Sequence, residues 1–119
     1  MTRINVGIPP KELSRQHLIA EHREIKRIPN AVSSGRARLD KIPSTFRLGT
    51  GHVSFFYDKQ LYLLNRYRKL HQECKSRGYN VQDYSSAWDG VSENLMNDYK
   101  PTYIDRLIVQ ERIYEKLNK

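Results

Sequence analysis

The sequence predicts an all-α protein: one compact three-helix single domain with long ordered loops and no sheet. Three observations point there. Apolar residues recur at helical spacing in three stretches, capping or stop residues stand near their ends, and the one short apolar run has no second run to pair with. The chain has 119 residues, enough for one domain, 1–119, with a modest core.

The first stretch follows Pro9-Pro10, starts between Pro10 and Arg15 with Ser14 as a possible N-cap, and runs to about Ser34 before Gly35. Pro29 falls inside it and should bend it or shorten it by a turn. The second begins at Asp58, a good N-cap, and ends at Gly78, where a left-handed residue is wanted. Its Leu63, Tyr67, Leu70 and Cys74 recur at i, i+4, i+7 and i+11. The third opens at Pro101, a favoured first helical position, with Ile104, Leu107 and Ile108 on one side. Between them, residues 35–57 form a connection whose short apolar run Val53-Ser54-Phe55-Phe56-Tyr57 reads as buried loop, and residues 79–100 read as irregular. Gly49 to Val53 reads as a tight turn into that loop, and Trp88 as a residue that pins the later one.

Twenty-one Lys and Arg against 13 Asp and Glu leave a formal charge of +8. The excess sits early: residues 1–77 hold 16 cationic and 6 anionic side chains, whereas residues 78–119 hold 5 and 7. Such a surplus suits a polyanionic partner, because neutralised phosphates release counterions. No apolar run approaches the ~20 residues of a membrane span, and no signal-peptide core follows Met1. A lone cysteine, Cys74, excludes an intrachain disulfide and makes an intracellular compartment the default.

On the first helix, Leu18, Ile25, Ile28 and Val32 fall on the side that should face a core. Gln16, Ala20, Arg23 and Arg27 fall on the other side, with Glu24 at its edge. Arg23 and Arg27, four apart, repel unless an anion lies between them. The group reads either as an ordinary ion pair on a helix face or as a phosphate clamp beside an acid. Glu21 lies nearer the apolar side, which predicts a structural carboxylate, buried and paired. His17 and His22 are five apart and face different ways, and His52, His71 and Cys74 complete no ligand set, so no metal site is expected.

Thr2 is small, so removal of Met1 is expected and would leave a free α-amino group. That amine has an ordinary pKa of about 8, against about 10.4 for lysine, so roughly a tenth of it is unprotonated near neutral pH. Arg3 beside it lowers the pKa further. An N-terminal amine is therefore a natural imine-forming nucleophile.

Longer blocks then align with a known family. Met1-Thr2-Arg3-Ile4-Asn5, Gln16-His17-Leu18, Ala20-Glu21, Arg23-Glu24 and Arg27 are followed by Thr45-Phe46, Leu48-Gly49 and Gly51-His52-Val53. Phe55-Phe56-Tyr57-Asp58-Lys59, Arg77-Gly78 and Asn80 continue the match. In these residues the chain resembles the phage pyrimidine-dimer DNA glycosylase/AP lyases. The resemblance implies a sheetless three-helix fold and DNA repair without metal or organic cofactor. It implies that the Thr2 amine attacks C1′ of a cyclobutane pyrimidine dimer in duplex DNA, and that the imine then permits β-elimination. Glu24 matches the family's carboxylate, while Arg3, Arg23 and Arg27 match its phosphate-gripping cluster, with Gln16 on the same face.

The partner implied is double-stranded DNA carrying damaged bases or abasic sites. A monomer is the simplest expectation, in the cytoplasm of an infected bacterial host if the chain is phage-encoded. Three departures widen the expected substrates to another damaged or modified base. No aromatic, basic tail follows Asn118-Lys119, the stretch from Ala31 to Lys41 is short, and Tyr67 replaces a polar residue. A non-catalytic basic DNA-binding protein of the same fold is the reading from a different class.

Overall fold

The computed structural model describes residues 2–117; Met1, whose removal is expected, and the terminal Asn118-Lys119 lie outside the described residues. Five α-helices follow in order: α1 (Arg15–Glu24), α2 (Arg27–Ser33), α3 (His52–Phe55), α4 (Gln60–Ser76) and α5 (Tyr103–Leu117). Short 3-10 turns occupy Pro10–Glu12, Ser85–Trp88 and Glu93–Leu95, and the described residues contain no strand.

The expected first helix is two helices, and Pro29 explains the break. Lacking an N–H, Pro29 cannot bond to the carbonyl of Ile25, and its ring crowds that carbonyl. Ile28 N–H takes the Ile25 carbonyl instead, at 3.2 Å, tightening the chain into the α1–α2 corner. Ser14 caps α1 as expected, its hydroxyl accepting from the His17 N–H. Leu18, Ile25 and Ile28 are fully buried, as the periodicity predicts, and Val32 is half-buried.

Asp58 does not cap the long helix α4. Its carboxylate pairs with Lys59 Nζ at 2.9 Å, its carbonyl accepts from Asn97 Nδ2, and the N-cap position falls one residue later, on Lys59, with no capping side chain. Gly78 does end that helix. With φ +82° it lets the Gly78 N–H reach the Lys75 carbonyl and the Tyr79 N–H reach the Cys74 carbonyl, the paired bonds of a Schellman motif. Leu63, Tyr67, Leu70 and Cys74 form the buried stripe the spacing predicts.

Two expectations for α5 are corrected. Pro101 lies outside the helix, and Thr102 caps it: the Thr102 hydroxyl accepts from the Asp105 N–H, and the Asp105 carboxylate accepts from the Thr102 N–H. This reciprocal pair is a capping box with Asp in the usual Glu position. Ile104 and Leu107 are exposed, whereas Asp105 and Val109 are buried. The run Val53–Tyr57 is also partly helical, since α3 makes one turn of it.

The amino-terminal segment positions the site. Ile4, Val6 and Ile8 are buried, so the chain enters through the core rather than over the surface. Without a sheet, its backbone groups are satisfied by buried side chains. The Ile4 N–H donates to His52 Nε2 at 3.0 Å, and the Ile8 carbonyl accepts from Arg66 Nη1 at 3.0 Å. At Gly7 (φ +77°) an added Cβ would stand 3.2 Å from Cβ of Arg106, so only glycine lets the segment approach α5 this closely.

Candidate active site

Helix α1 presents one solvent-facing edge to a cleft of about 290 Å³, lined by Gln16, Ala20 and Glu24 from the helix and by Arg3 and Asn5 from the amino-terminal segment. Arg112 and Lys116 close it from α5. A second pocket, of about 560 Å³, is lined by Thr2, Leu48, His52, Val53 and Tyr57. Arg3 and Arg112 line both cavities, so the pocket of Thr2 and the cleft of Glu24 share these two arginines.

The two carboxylates of α1 have different surroundings. Glu21 is buried, as expected, and accepts from Asn5 Nδ2 at 2.8 Å, from Arg66 Nη2 at 2.9 Å and from Arg66 Nε. Its charge is already compensated. Glu24 keeps 15% of its side chain exposed and is bonded by Arg23 Nη2 at 3.3 Å, an outer partner whose own side chain is 57% exposed. Glu24 is thus the cleft carboxylate available to a ligand.

The cleft is electropositive. His17, on its wall, is pushed below its ordinary value, first by burial and then by the charges of Arg112, Lys116 and Arg3. Arg112 is itself held down, by burial and then by Arg3. In the α1–α2 corner, at the N-cap of α2, Lys26 is lowered by burial and by Arg27 and Arg23. Like charges held this close favour an anionic ligand that can sit among them.

Of the residues singled out in the sequence, Arg3, Gln16 and Glu24 meet in the cleft. Arg23 joins Gln16 and Glu24 on an adjoining surface pocket. Thr2 stands in the neighbouring pocket, itself buried. Arg27 is exposed at the start of α2 and lines none of these three cavities. Sequence reasoning misses Arg112 and Lys116. Their signal is a stripe on α5, Asp105, Val109, Arg112 and Lys116 at i, i+4, i+7 and i+11, whose first two members are buried. Arg112 Nη2 donates to Asn5 Oδ1 at 2.7 Å, tying α5 to the amino-terminal segment. Among the described residues no group of three or more His, Cys, Asp or Glu could hold a metal ion, and no helix is long and apolar enough to cross a membrane.

A sheetless helical fold with one accessible carboxylate set among arginines is the frame of a protein that acts on a polyanion. The model of the pyrimidine dimer DNA glycosylase family matches residues 1–85, which hold Thr2, Arg3, Gln16, Arg23, Glu24 and Arg27. The chain belongs to that family, whose members are DNA repair enzymes, glycosylases with AP lyase activity.

Proposed function

We propose that this chain removes cyclobutane pyrimidine dimers from ultraviolet-damaged duplex DNA through an imine on the α-amine of Thr2, and then cuts the strand by β-elimination. The observation that carries this reading is the pair of arginines, Arg3 and Arg112, shared by the pocket of Thr2 and the cleft of Glu24.

Once Met1 is removed, the neutral Thr2 amine attacks C1′ of the 5′ nucleotide of the dimer. The glycosidic bond breaks, its electron pair leaves with the base, and nitrogen takes its place on C1′. That carbon passes through an oxocarbenium-like state, and the Glu24 carboxylate stabilises the positive charge. Opening of the sugar ring gives a protonated imine, which acidifies the C2′ hydrogens. Loss of a C2′ proton to a base, the role proposed for Glu24, expels the 3′ phosphate, and water then hydrolyses the imine. Arg3, Gln16, Arg23 and Arg27 hold the DNA backbone around the lesion. Arg112 and Lys116 extend that grip from residues beyond the family match, which supports the whole chain acting as one domain, and a monomer is the simplest form of it. The scheme needs neither metal nor organic cofactor.

Borohydride reduction of the imine tests it. Processed protein should give a covalent adduct with dimer-containing and with abasic duplexes, and the adduct should vanish when Met1 is retained or the amine is blocked. Trapping on abasic DNA with none on dimers would leave the chemistry standing and replace the substrate by another damaged or modified base. Absence of any adduct would remove the imine.

A further inference from the structure

The Thr2 nitrogen opens a segment whose position must be set by whatever grips it. Two residues on, the Ile4 N–H donates to Nε2 of His52 at 3.0 Å, across 48 residues of sequence. The other ring nitrogen, Nδ1, donates to the Arg47 carbonyl at 2.8 Å. The two bonds fix the tautomer: hydrogen on Nδ1, lone pair on Nε2. The ring is 4% exposed and lies edge-on to Phe46 and Phe56 at 5.5 Å, so it has no room to turn. It also lines the pocket of Thr2.

We propose that His52 is a positioning residue for the nucleophile: its neutral imidazole ties the amino-terminal segment to the Arg47 loop and so sets where the Thr2 amine stands against C1′. The inference rests on the imine reading. A bond this near a reacting atom governs rate through placement, since a misplacement of about 1 Å can cost on the order of 10²-fold. The phosphate grip, by contrast, is built from Arg3, Arg112 and α1, which His52 does not hydrogen-bond. His52 should therefore govern the rate of imine formation and not the affinity for DNA.

The same geometry makes the tie sensitive to protonation. A proton on Nε2 would face the Ile4 N–H and abolish the acceptor. Burial keeps His52 below its ordinary value, and Arg112 and Arg3 act the same way, while the bond to the Arg47 carbonyl and the charge of Glu21 oppose them. These charged groups reach the ring from α5, the amino-terminal segment and α1, so the imidazole is held neutral at physiological pH.

Two substitutions separate the two ring bonds. His52→Gln places an oxygen near Nε2 and keeps an acceptor for Ile4; His52→Asn places a nitrogen near Nδ1 and keeps only the donor to Arg47. Single-turnover trapping on an abasic duplex should be about ten-fold or more slower in the Asn variant, with Kd for the same duplex unchanged, and near wild type in the Gln variant. The ratio of the wild-type to the Gln rate should also fall at a pH low enough to put a proton on Nε2, below the ordinary histidine value, because only histidine loses its acceptor. Equal rates for Asn and wild type, or a loss of rate that follows Kd, would overturn the proposal. If the Asn variant does not fold, the Gln variant decides alone: a trapping rate about ten-fold or more below wild type at unchanged Kd, despite the retained acceptor, overturns it. Failure of the wild-type protein to trap at all would remove the imine reading instead.

Discussion

Arg66 of α4 and Glu21 of α1 face each other across the helix interface, Nη2 2.9 Å from Oε1 and Nε bonded to Oε2. Both side chains are sealed from water, at 7% and 1% exposure. Asn5 shares the same carboxylate, and Arg66 Nη1 reaches the Ile8 carbonyl, so one ion pair joins two helices to the amino-terminal segment.

Breaking that pair on one side leaves a buried charge without its partner. Glu21→Gln should therefore cost about 3–5 kcal/mol in urea denaturation. A double change, Glu21→Leu with Arg66→Met, should be more stable than Glu21→Gln, because it removes the second charge as well. A Glu21→Gln protein within about 1 kcal/mol of wild type would show that the carboxylate does not hold the interface together.

Glu24, one turn further along α1, should behave oppositely. Its partner Arg23 is exposed, and surface pairs of this kind contribute roughly 0–1 kcal/mol. Glu24→Gln should leave the melting temperature nearly unchanged while single-turnover trapping on abasic duplex slows by about 10²-fold or more. A variant that traps at the wild-type rate would exclude the carboxylate from the chemistry.

The contrast between these two carboxylates is partly legible in the sequence. The helical period separates Glu21 from the face of Gln16 and Arg23, and it predicts the burial of Glu21. It does not supply Arg66, which lies 45 residues away on another helix. Ser14 and Gly78 are readable because a cap and a left-handed stop act through neighbouring backbone. Asp58 misleads because its carboxylate finds Lys59 and its carbonyl finds Asn97, a tertiary partner. On α5 the buried face carries Asp105 and the half-buried Arg112, which Tyr99 and Asn5 satisfy with hydrogen bonds. Hydropathy therefore favours the wrong side, with Ile104 and Leu107. The same tertiary origin hides Arg112 and Lys116 from a sequence reading of the site.

Arg112 gives a prediction of its own, since it lines both cavities and sits beside Arg3. If it contacts one phosphate, Arg112→Ala should reduce the slope of log K against log salt by about 0.9 for undamaged duplex. The affinity loss should be similar for all sequences, because a phosphate contact carries no base information. An unchanged slope would place Arg112 among the structural residues, acting through its bond to Asn5.

The remaining prediction concerns pH and a different part of the fold. His22 of α1 is 2% exposed, and its Nε2 lies 3.0 Å from Nδ1 of His71 on α4, with the rings stacked at 5.2 Å. Burial, then His71 and Lys26, depress His22 from 6.5 to about 4, with Asp83 opposing. In the unfolded chain the same ring binds its proton near 6.5. Between these values the unfolded state holds the extra proton, so stability rises with pH there. The contribution is complete above pH 6.5 and is lost as pH falls toward 4, a change on the order of 3 kcal/mol. His17 and His52 are lowered too and act in the same direction. His22→Phe, which keeps a ring in the stack, should therefore flatten the dependence of unfolding free energy on pH from 4 to 6.5 without abolishing it. A slope equal to that of the wild-type protein would mean that His22 already takes its proton in the folded state near 6.5.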